Sequence, residues 1–471
     1  MARPVSLLPS GGAPYVSVTD GPPATPVNDG SGPPVTLVTS GAPPICLVDA
    51  TGAVLGGLAF AGNAWAAWDF INNEARYANN YEGVLANTPG WTFTRASTGY
   101  AQTSAGVLTS FASGELRRTD KGVLIEGART NLCLQSQTFD NASWAKTRCS
   151  ITADAVVAPD GTTTADAFVE DASAASNRRV AQAVTKAASA ITYTQSCYLK
   201  ASARNYAVLY SESPGGTALT YFNISTGVIS TAAAVTGAFT SPSATITALA
   251  NGWYRCTQTF TTDTNTTVDQ YVFGSGDGST LPYNGVNGQV GFYLWGAQLE
   301  AASFPSSYIP TTTASATRAA DVLTVPVSGI DYPLSLFAEF ERVVDTAAIE
   351  ALLTIDGGSA ANRTRLDVSA SDLGQTIVAA SSATQATVTV AGALSLGTVY
   401  KLAGRVSTNS VQSARSGTLG TEDTVSTNPS APTTIRFGTS TSTGNESFGY
   451  LRRCALWTRA LTDSELQTVT T

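Results

Sequence analysis

The sequence predicts an all-β, multidomain protein, with an extended Pro/Gly-rich N-terminal arm followed by two β-sandwich (jelly-roll) domains. Three observations predict it. The 471 residues suggest about three domains at roughly 150 residues each, and only 13% are charged, about half the usual share. From residue 91 onward, short runs alternate apolar and polar side chains with period two, as half-buried strands do. Turn signals bound those runs: Pro159-Asp160-Gly161, Ser225-Thr226-Gly227, Asn251-Gly252 and Asp277-Gly278. Many short strands with regular turns indicate a sandwich or jelly roll.

Residues 1–50 are punctuated by Gly12-Ala13-Pro14, Gly21-Pro22-Pro23, Gly32-Pro33-Pro34 and Gly41-Ala42-Pro43-Pro44, spaced 9, 11 and 9 residues apart. Short β-branched stretches follow most of these marks, such as Val35-Thr36-Leu37-Val38 and Ile45-Cys46-Leu47-Val48. Each unit reads as an extended strand ended by a rigid turn, too short to bury a core of its own, so it should pack on a copy of itself or on a docking surface. Residues 51–90 form a connector. Within it, Trp65, Trp68, Phe70, Ile71 and Ala75 have a helix-compatible spacing, and Asn79-Asn80 marks a stop, which predicts a short helix.

Residues 91–323 should form the first sandwich. In the run from Ile191 to Leu199, Ile191, Tyr193, Cys197 and Leu199 share one face with Gln195. In the run from Trp253 to Phe260, Tyr254, Cys256 and Phe260 point one way while Trp253 and Arg255 point the other. The run Val290-Gly-Phe-Tyr-Leu-Trp295 is apolar on both faces and reads as a central strand. Residues 304–318 look like a linker returning over the domain edge. Residues 324–471 form the second sandwich, opening with Leu334, Leu336, Ala338 and Phe340 against Ser335, Phe337, Glu339 and Glu341. The chain closes on Thr462 and Glu465, at capping-box spacing for a short terminal helix.

Composition removes most enzyme chemistries. With no histidine, there can be no Ser-His-Asp or Cys-His nucleophile, no His-ligated zinc and no imidazole base. The six cysteines are never closer than sixteen residues, which excludes C-x-x-C metal or redox pairs. The opening MARPVSLLPSGG lacks the apolar core of a secretory signal, so synthesis in a reducing cytoplasm and free, buried thiols are expected. No apolar run reaches the ~18 residues of a membrane span, and a net charge of −8 disfavours nucleic acid as a partner.

Several strings then match a known family in order and spacing: Phe93-Thr-Arg-Ala-Ser-Thr98, Gly122-Val-Leu-Ile-Glu-Gly-Ala-Arg-Thr-Asn-Leu132, Phe139-Asp-Asn-Ala-Ser-Trp-Ala-Lys146, Ala158-Pro-Asp-Gly-Thr-Thr-Thr-Ala-Asp-Ala167, Asn251-Gly-Trp-Tyr-Arg-Cys256, and Leu294-Trp-Gly-Ala-Gln-Leu-Glu300 leading into Phe304-Pro-Ser-Ser-Tyr-Ile-Pro310. Over 91–323 the chain resembles phage and prophage structural proteins with a carbohydrate-binding-module-like jelly roll. The closing Leu451-Arg-Arg-Cys-Ala-Leu-Trp-Thr-Arg-Ala-Leu-Thr-Asp-Ser-Glu-Leu466 is similar to the end of concanavalin-like, laminin-G-type lectin domains. The resemblance implies a virion fibre or spike on the particle surface, on head or tail. It would be a homotrimer, attached to other virion proteins through residues 1–50 and contacting host surface polysaccharide without catalysis. A purely structural virion decoration protein is the alternative, and a polysaccharide depolymerase the third reading.

Sugars are held by aromatic faces flanked by planar polar groups. The candidates are Trp253 with Arg255, Gln298 with Glu300, Tyr206 and Tyr210, and Tyr283 in a Gly-rich loop. For each, packing or inter-subunit contact is the competing role, while Trp144, Trp295 and Trp457 read as core. No cofactor is expected. Jelly rolls of this kind often hold a structural calcium, for which Asp277 is the one candidate ligand. Catalysis without histidine would need two carboxylates. Glu339 and Glu341 lie about 7 Å apart on one strand face, but Val344 breaks the glucanase-like E-x-D-x-x-E pattern, and a solvated outer face explains the pair.

Overall fold

The computed structural model describes residues 36–38, 46–48, 64–78, 81–441 and 445–471. Of the N-terminal arm, only the antiparallel pair Thr36–Val38 and Cys46–Val48 falls within them; its docking role lies outside the described residues. The rest is all-β, with two antiparallel sandwiches and one α-helix, Asp463–Thr470, among the described residues.

The jelly roll packs two six-stranded sheets face to face. One contains Thr192–Ala201, Trp253–Thr261, Thr240–Ala248 and Val290–Glu300; the other contains Arg179–Thr185, Thr267–Ser275, Tyr206–Ser213, Gly216–Asn223 and Val228–Gly237. Tyr193, Cys197, Leu199, Cys256 and Phe260 point between them, as the alternation predicts. Val290–Glu300 is central, hydrogen-bonded on both sides. Trp144, Trp295 and Trp457 are all buried. Cys133, Cys149, Cys197, Cys256 and Cys454 are free thiols.

The second sandwich departs from the expected boundaries at 91 and 323/324. Thr92–Thr94 pairs with Val322–Pro326, and Gly122–Ile125 pairs with Gly449–Trp457. Trp68, Phe70, Val123 and Ile125 share one core with Leu336, Leu353, Phe437 and Leu456. The jelly roll, from about residue 129 to 318, is therefore inserted into a second β-sandwich built from both flanks. A short ribbon, Arg129–Asn131 against Ala316–Arg318, carries the chain out and back.

The helix predicted in the 51–90 connector is instead a β-hairpin, Ala66–Asp69 with Glu74–Tyr77, joined edge to edge with Gly449–Trp457. The apolar run has no alternation because all four residues of Ala66–Asp69 are buried, and a strand covered on both faces mimics a helix in spacing. The turn is set by Asp69, whose Oδ1 accepts the N–H groups of Ile71 (3.0 Å) and Asn72 (2.9 Å), and by Asn73 at φ 62°.

At the other end, Thr462 accepts from the Glu465 N–H while the Glu465 carboxylate accepts from the Thr462 N–H, closing the capping box. Leu461 and Leu466 then cover the outer face of Leu334–Arg342 at Phe337.

That strand corrects a further expectation. Glu339 and Glu341 are not on a solvated face; they are 4% and 7% exposed. A β-bulge opposite Glu339 and Phe340 inserts an extra residue in the neighbouring strand, so Arg452 and Arg453 both reach one carboxylate. Arg452 Nε lies 2.9 Å from Glu339 Oε1, and Arg453 Nη1 lies 3.2 Å from Oε2. Glu341 is held by Lys121 Nζ at 2.6 Å.

Candidate functional site

The hairpin Gly99–Gln102 with Leu108–Phe111 leaves the second sandwich and lies on the outward face of the jelly roll. There Tyr100 and Leu108 pack with Tyr198, Trp253, Trp295 and Tyr308. Tyr450 pins the hairpin from the other side, its hydroxyl donating to the Gln102 carbonyl (2.7 Å) and accepting the Gln102 N–H (2.9 Å).

Beneath the hairpin runs a buried charge network. Arg117 Nη1 meets Glu126 Oε2 at 2.6 Å and its Nη2 meets Asp321; Arg95 Nη1 meets Asp321 Oδ1 at 3.1 Å, and Arg318 Nη2 stands 3.5 Å from Glu126. Burial alone would push the Glu126 carboxyl up, but Arg318, Arg117 and the Ser307 hydroxyl hold it down at about 2. Glu126 also accepts the Ser307 N–H at 2.9 Å, which fixes the segment 303–308 along the same face.

Where the hairpin ends, the two sandwiches stand apart and leave a cleft of about 660 Å³. One wall is the outward face of the jelly roll. Ser243, Thr245 and Thr247 of Thr240–Ala248 lie beside Arg255, Thr257 and Thr259 of Trp253–Thr261, because strict alternation turns these side chains away from the core. The other wall brings Lys121, Glu341, Val343, Asp345, Leu396 and Tyr450 from the second sandwich. Tyr100, Phe304 and Tyr308 back the cleft. Lys121 Nζ sits 4.6 Å from the centre of the Tyr450 ring while bound to Glu341. Burial raises Tyr100 to about 12, so its hydroxyl stays protonated.

The sequence-predicted residues divide into two groups. Arg255 alone opens into the cleft. Trp253, on the predicted face, is covered by the hairpin, and its indole N–H donates to the Val157 carbonyl at 3.1 Å. Gln298 and Glu300 are fully buried under 303–308; Gln298 Nε2 donates to Glu300 at 2.7 Å, and Glu300 accepts from the Ser306 hydroxyl at 2.5 Å. Tyr206, Tyr210 and Tyr283 belong to the opposite side of the jelly roll. Tyr210 is half-buried against Tyr271 and Phe273, ring centres 5.4 Å apart in both cases. Tyr206 packs close to Gly278, where an added Cβ would strike its ring. Tyr283 lies under the guanidinium groups of Arg178 (4.6 Å) and Arg204 (4.8 Å) and donates to Glu170 at 2.9 Å, which makes it a structural brace rather than a free platform.

Asp277 is engaged by its own turn. Its Oδ1 accepts the N–H groups of Ser279 (2.9 Å) and Thr280 (2.8 Å), bonds that hold its carboxyl down at about 2 and close the turn. No cluster of three or more acidic or thiol side chains suited to a metal exists among the described residues. Sequence reasoning missed Thr245, Thr247, Lys121 and Tyr450, which meet only through contacts between the two sandwiches.

No family model and no curated protein matches the chain. Solved structures give partial, low-scoring likenesses. The IT-sialidase CBM40 of Ruminococcus gnavus bound to α2,3-sialyllactose is 14% identical, with TM-score 0.25 over 30% of this chain and 83% of that one. Domain 4 of the GH43 extracellular arabinanase AbnA from Geobacillus stearothermophilus, in complex with arabinotriose, is 12% identical, with TM-score 0.27 over 36% and 82%. A heptameric SAP-like pentraxin from Limulus polyphemus is 14% identical, with TM-score 0.24 over 30% and 70%.

Proposed function

We propose that this protein is a non-catalytic saccharide-binding component of a virion surface, a fibre or spike on head or tail, and that the inter-sandwich cleft is its binding site. The observation that carries the reading is the cleft wall. Hydroxyls of Ser243, Thr245, Thr247, Thr257 and Thr259 stand side by side on adjacent strands with the Arg255 guanidinium, opposite a wall of mixed apolar and charged side chains. Hydroxyls and a planar cation are suited to sugar hydroxyls, and the volume is that of a ligand cleft. The virion setting rests on the motif resemblance across 93–310. In a homotrimer, three weak sites would reinforce one another by raising the effective concentration.

Catalysis is not part of the reading, because Glu339 and Glu341 are each occupied by cations. The test is binding of the full chain to immobilised bacterial surface polysaccharides, with Thr245→Trp filling the cleft from an exposed strand. Binding by the parent and loss in the variant, at an unchanged melting temperature, is the expected result. Release of reducing sugar would favour the depolymerase. Absence of binding to every polysaccharide would favour a decoration protein without ligand.

A further inference from the structure

The cleft holds one cation with no direct carboxylate partner. Five ionisable side chains that carry charge at neutral pH line it: Lys121, Glu126, Arg255, Glu341 and Asp345. Lys121 is bound to Glu341 and Glu126 to Arg117 and Arg318, while Asp345, at 3.5 Å, shares Arg342 with Glu350 and Asp372, each at 2.8 Å. Arg255 has no carboxylate within ion-pair distance among the described residues. Its Nη2 donates to the neutral Ser196 hydroxyl at 3.0 Å, and its Nε is shielded from solvent with no acceptor. Glu300, two strands away, spends its hydrogen bonds on Ser306 and Gln298 and acts on Arg255 only from beyond ion-pair distance.

The guanidinium is also held in place. It lies 5.5 Å from the centre of the Tyr198 ring, whose own position is set by packing against Trp295 and Tyr308. A fixed, half-desolvated guanidinium with spare donors has an unmet preference for a planar anion, since a carboxylate takes two parallel N–H bonds from one fork. Because the fork is already oriented, little side-chain entropy would be lost when an anion arrives. The hydroxyls of Thr245 and Thr247 stand next to it on the neighbouring strand, so the rest of a sugar ring would meet them.

We infer that the cleft selects saccharides that carry a carboxylate, with Arg255 as the anchor for that group. The inference rests on the cleft being the saccharide site. It deepens that reading from sugars in general to acidic sugars.

The test uses matched probes on one array: oligogalacturonate and its methyl ester, and a hyaluronan tetrasaccharide and its carboxyl-reduced form. The full chain is compared with Arg255→Gln, Arg255→Lys and Thr245→Trp, each checked for an unchanged melting temperature. The expected result is a preference of roughly tenfold or more for at least one acidic member over its neutral partner, since a hydrogen bond to a charged group contributes about that much. Arg255→Gln and Thr245→Trp should abolish the preference, and Arg255→Lys should only weaken it, since the charge remains but the fork is lost. Equal binding of acidic and neutral members, lost in Thr245→Trp but retained in Arg255→Gln, would overturn the inference and leave the cleft as the saccharide site. Binding untouched by either variant, or no binding to any member, would overturn both.

Discussion

The two outward faces of the jelly roll are built from the same kind of material and come to opposite ends. Each carries aromatic side chains and an arginine that has no carboxylate in ion-pair range among the described residues. On the bare side, Tyr210 packs edge to face on Tyr271 and Phe273 at 5.4 Å, those two rings lie tilted at 5.5 Å, and Arg179 sits 4.8 Å over Tyr271, so the rings and the cation satisfy one another. On the other side the aromatic residues Trp253, Tyr198 and Trp295 are consumed by a hairpin from the second sandwich, and only the hydroxyl wall and Arg255 remain open. Aromatic residues on a strand face therefore say little about binding. What makes a concave site here is a second wall, supplied by the sandwich into which the jelly roll is inserted.

The largest expected break in that contrast is at the cleft floor. Arg117→Met removes the nearest cation from both Glu126 and Asp321 in a site with no solvent access, leaving them only Arg318 and Arg95, and should cost about 3 kcal/mol in denaturant unfolding while abolishing cleft binding. Acid should act on the same network. Glu126 is held at about 2 against an ordinary 4.5, so its contribution is complete above pH 4.5 and is lost as pH falls towards 2, on the order of a few kcal/mol, read from stability against pH. On the bare face, Tyr210→Ala should cost about 1–2 kcal/mol and leave saccharide binding unchanged by titration calorimetry, which separates packing aromatics from ligand-facing ones. A second pH-dependent effect, of opposite sign, is at Asp166, in the cleft-side sheet. Burial raises its carboxyl to about 6 from 3.8 although it accepts the N–H groups of Phe139 and Asp154. The folded state therefore binds this proton more tightly, and stability falls as pH rises from about 4 to 6. Asp166→Asn should flatten that slope in melting curves taken across the interval.

Local features were legible in the sequence where local physics decides them. Period-two alternation placed Tyr254, Cys256 and Phe260 inward and Arg255 outward, and the Thr462–Glu465 spacing became a capping box. The failures have a common cause. The pairings of Thr92–Thr94 with Val322–Pro326 and of Gly122–Ile125 with Gly449–Trp457 join residues more than two hundred positions apart, so the insertion leaves no local trace. For the same reason nothing near Trp253 announces that Tyr100 and Leu108 will cover it, or near Glu339 that two arginines will reach it across a bulge. The Ala66–Asp69 strand was misread because burial on both faces erases alternation, although the Asp69 and Asn73 turn residues carried the correct signal.

The hairpin strand Ala66–Asp69 is not at a sheet edge: it is hydrogen-bonded on one side to Gly449–Trp457 and on the other to Glu74–Tyr77. A pull transmitted through the residues before it would drag an interior strand lengthwise past two ladders, straining their bonds together instead of peeling them one at a time. The second sandwich is thus gripped through its centre. A tether on that side would transmit tension to the cleft without first unravelling the sandwich that forms one of its walls.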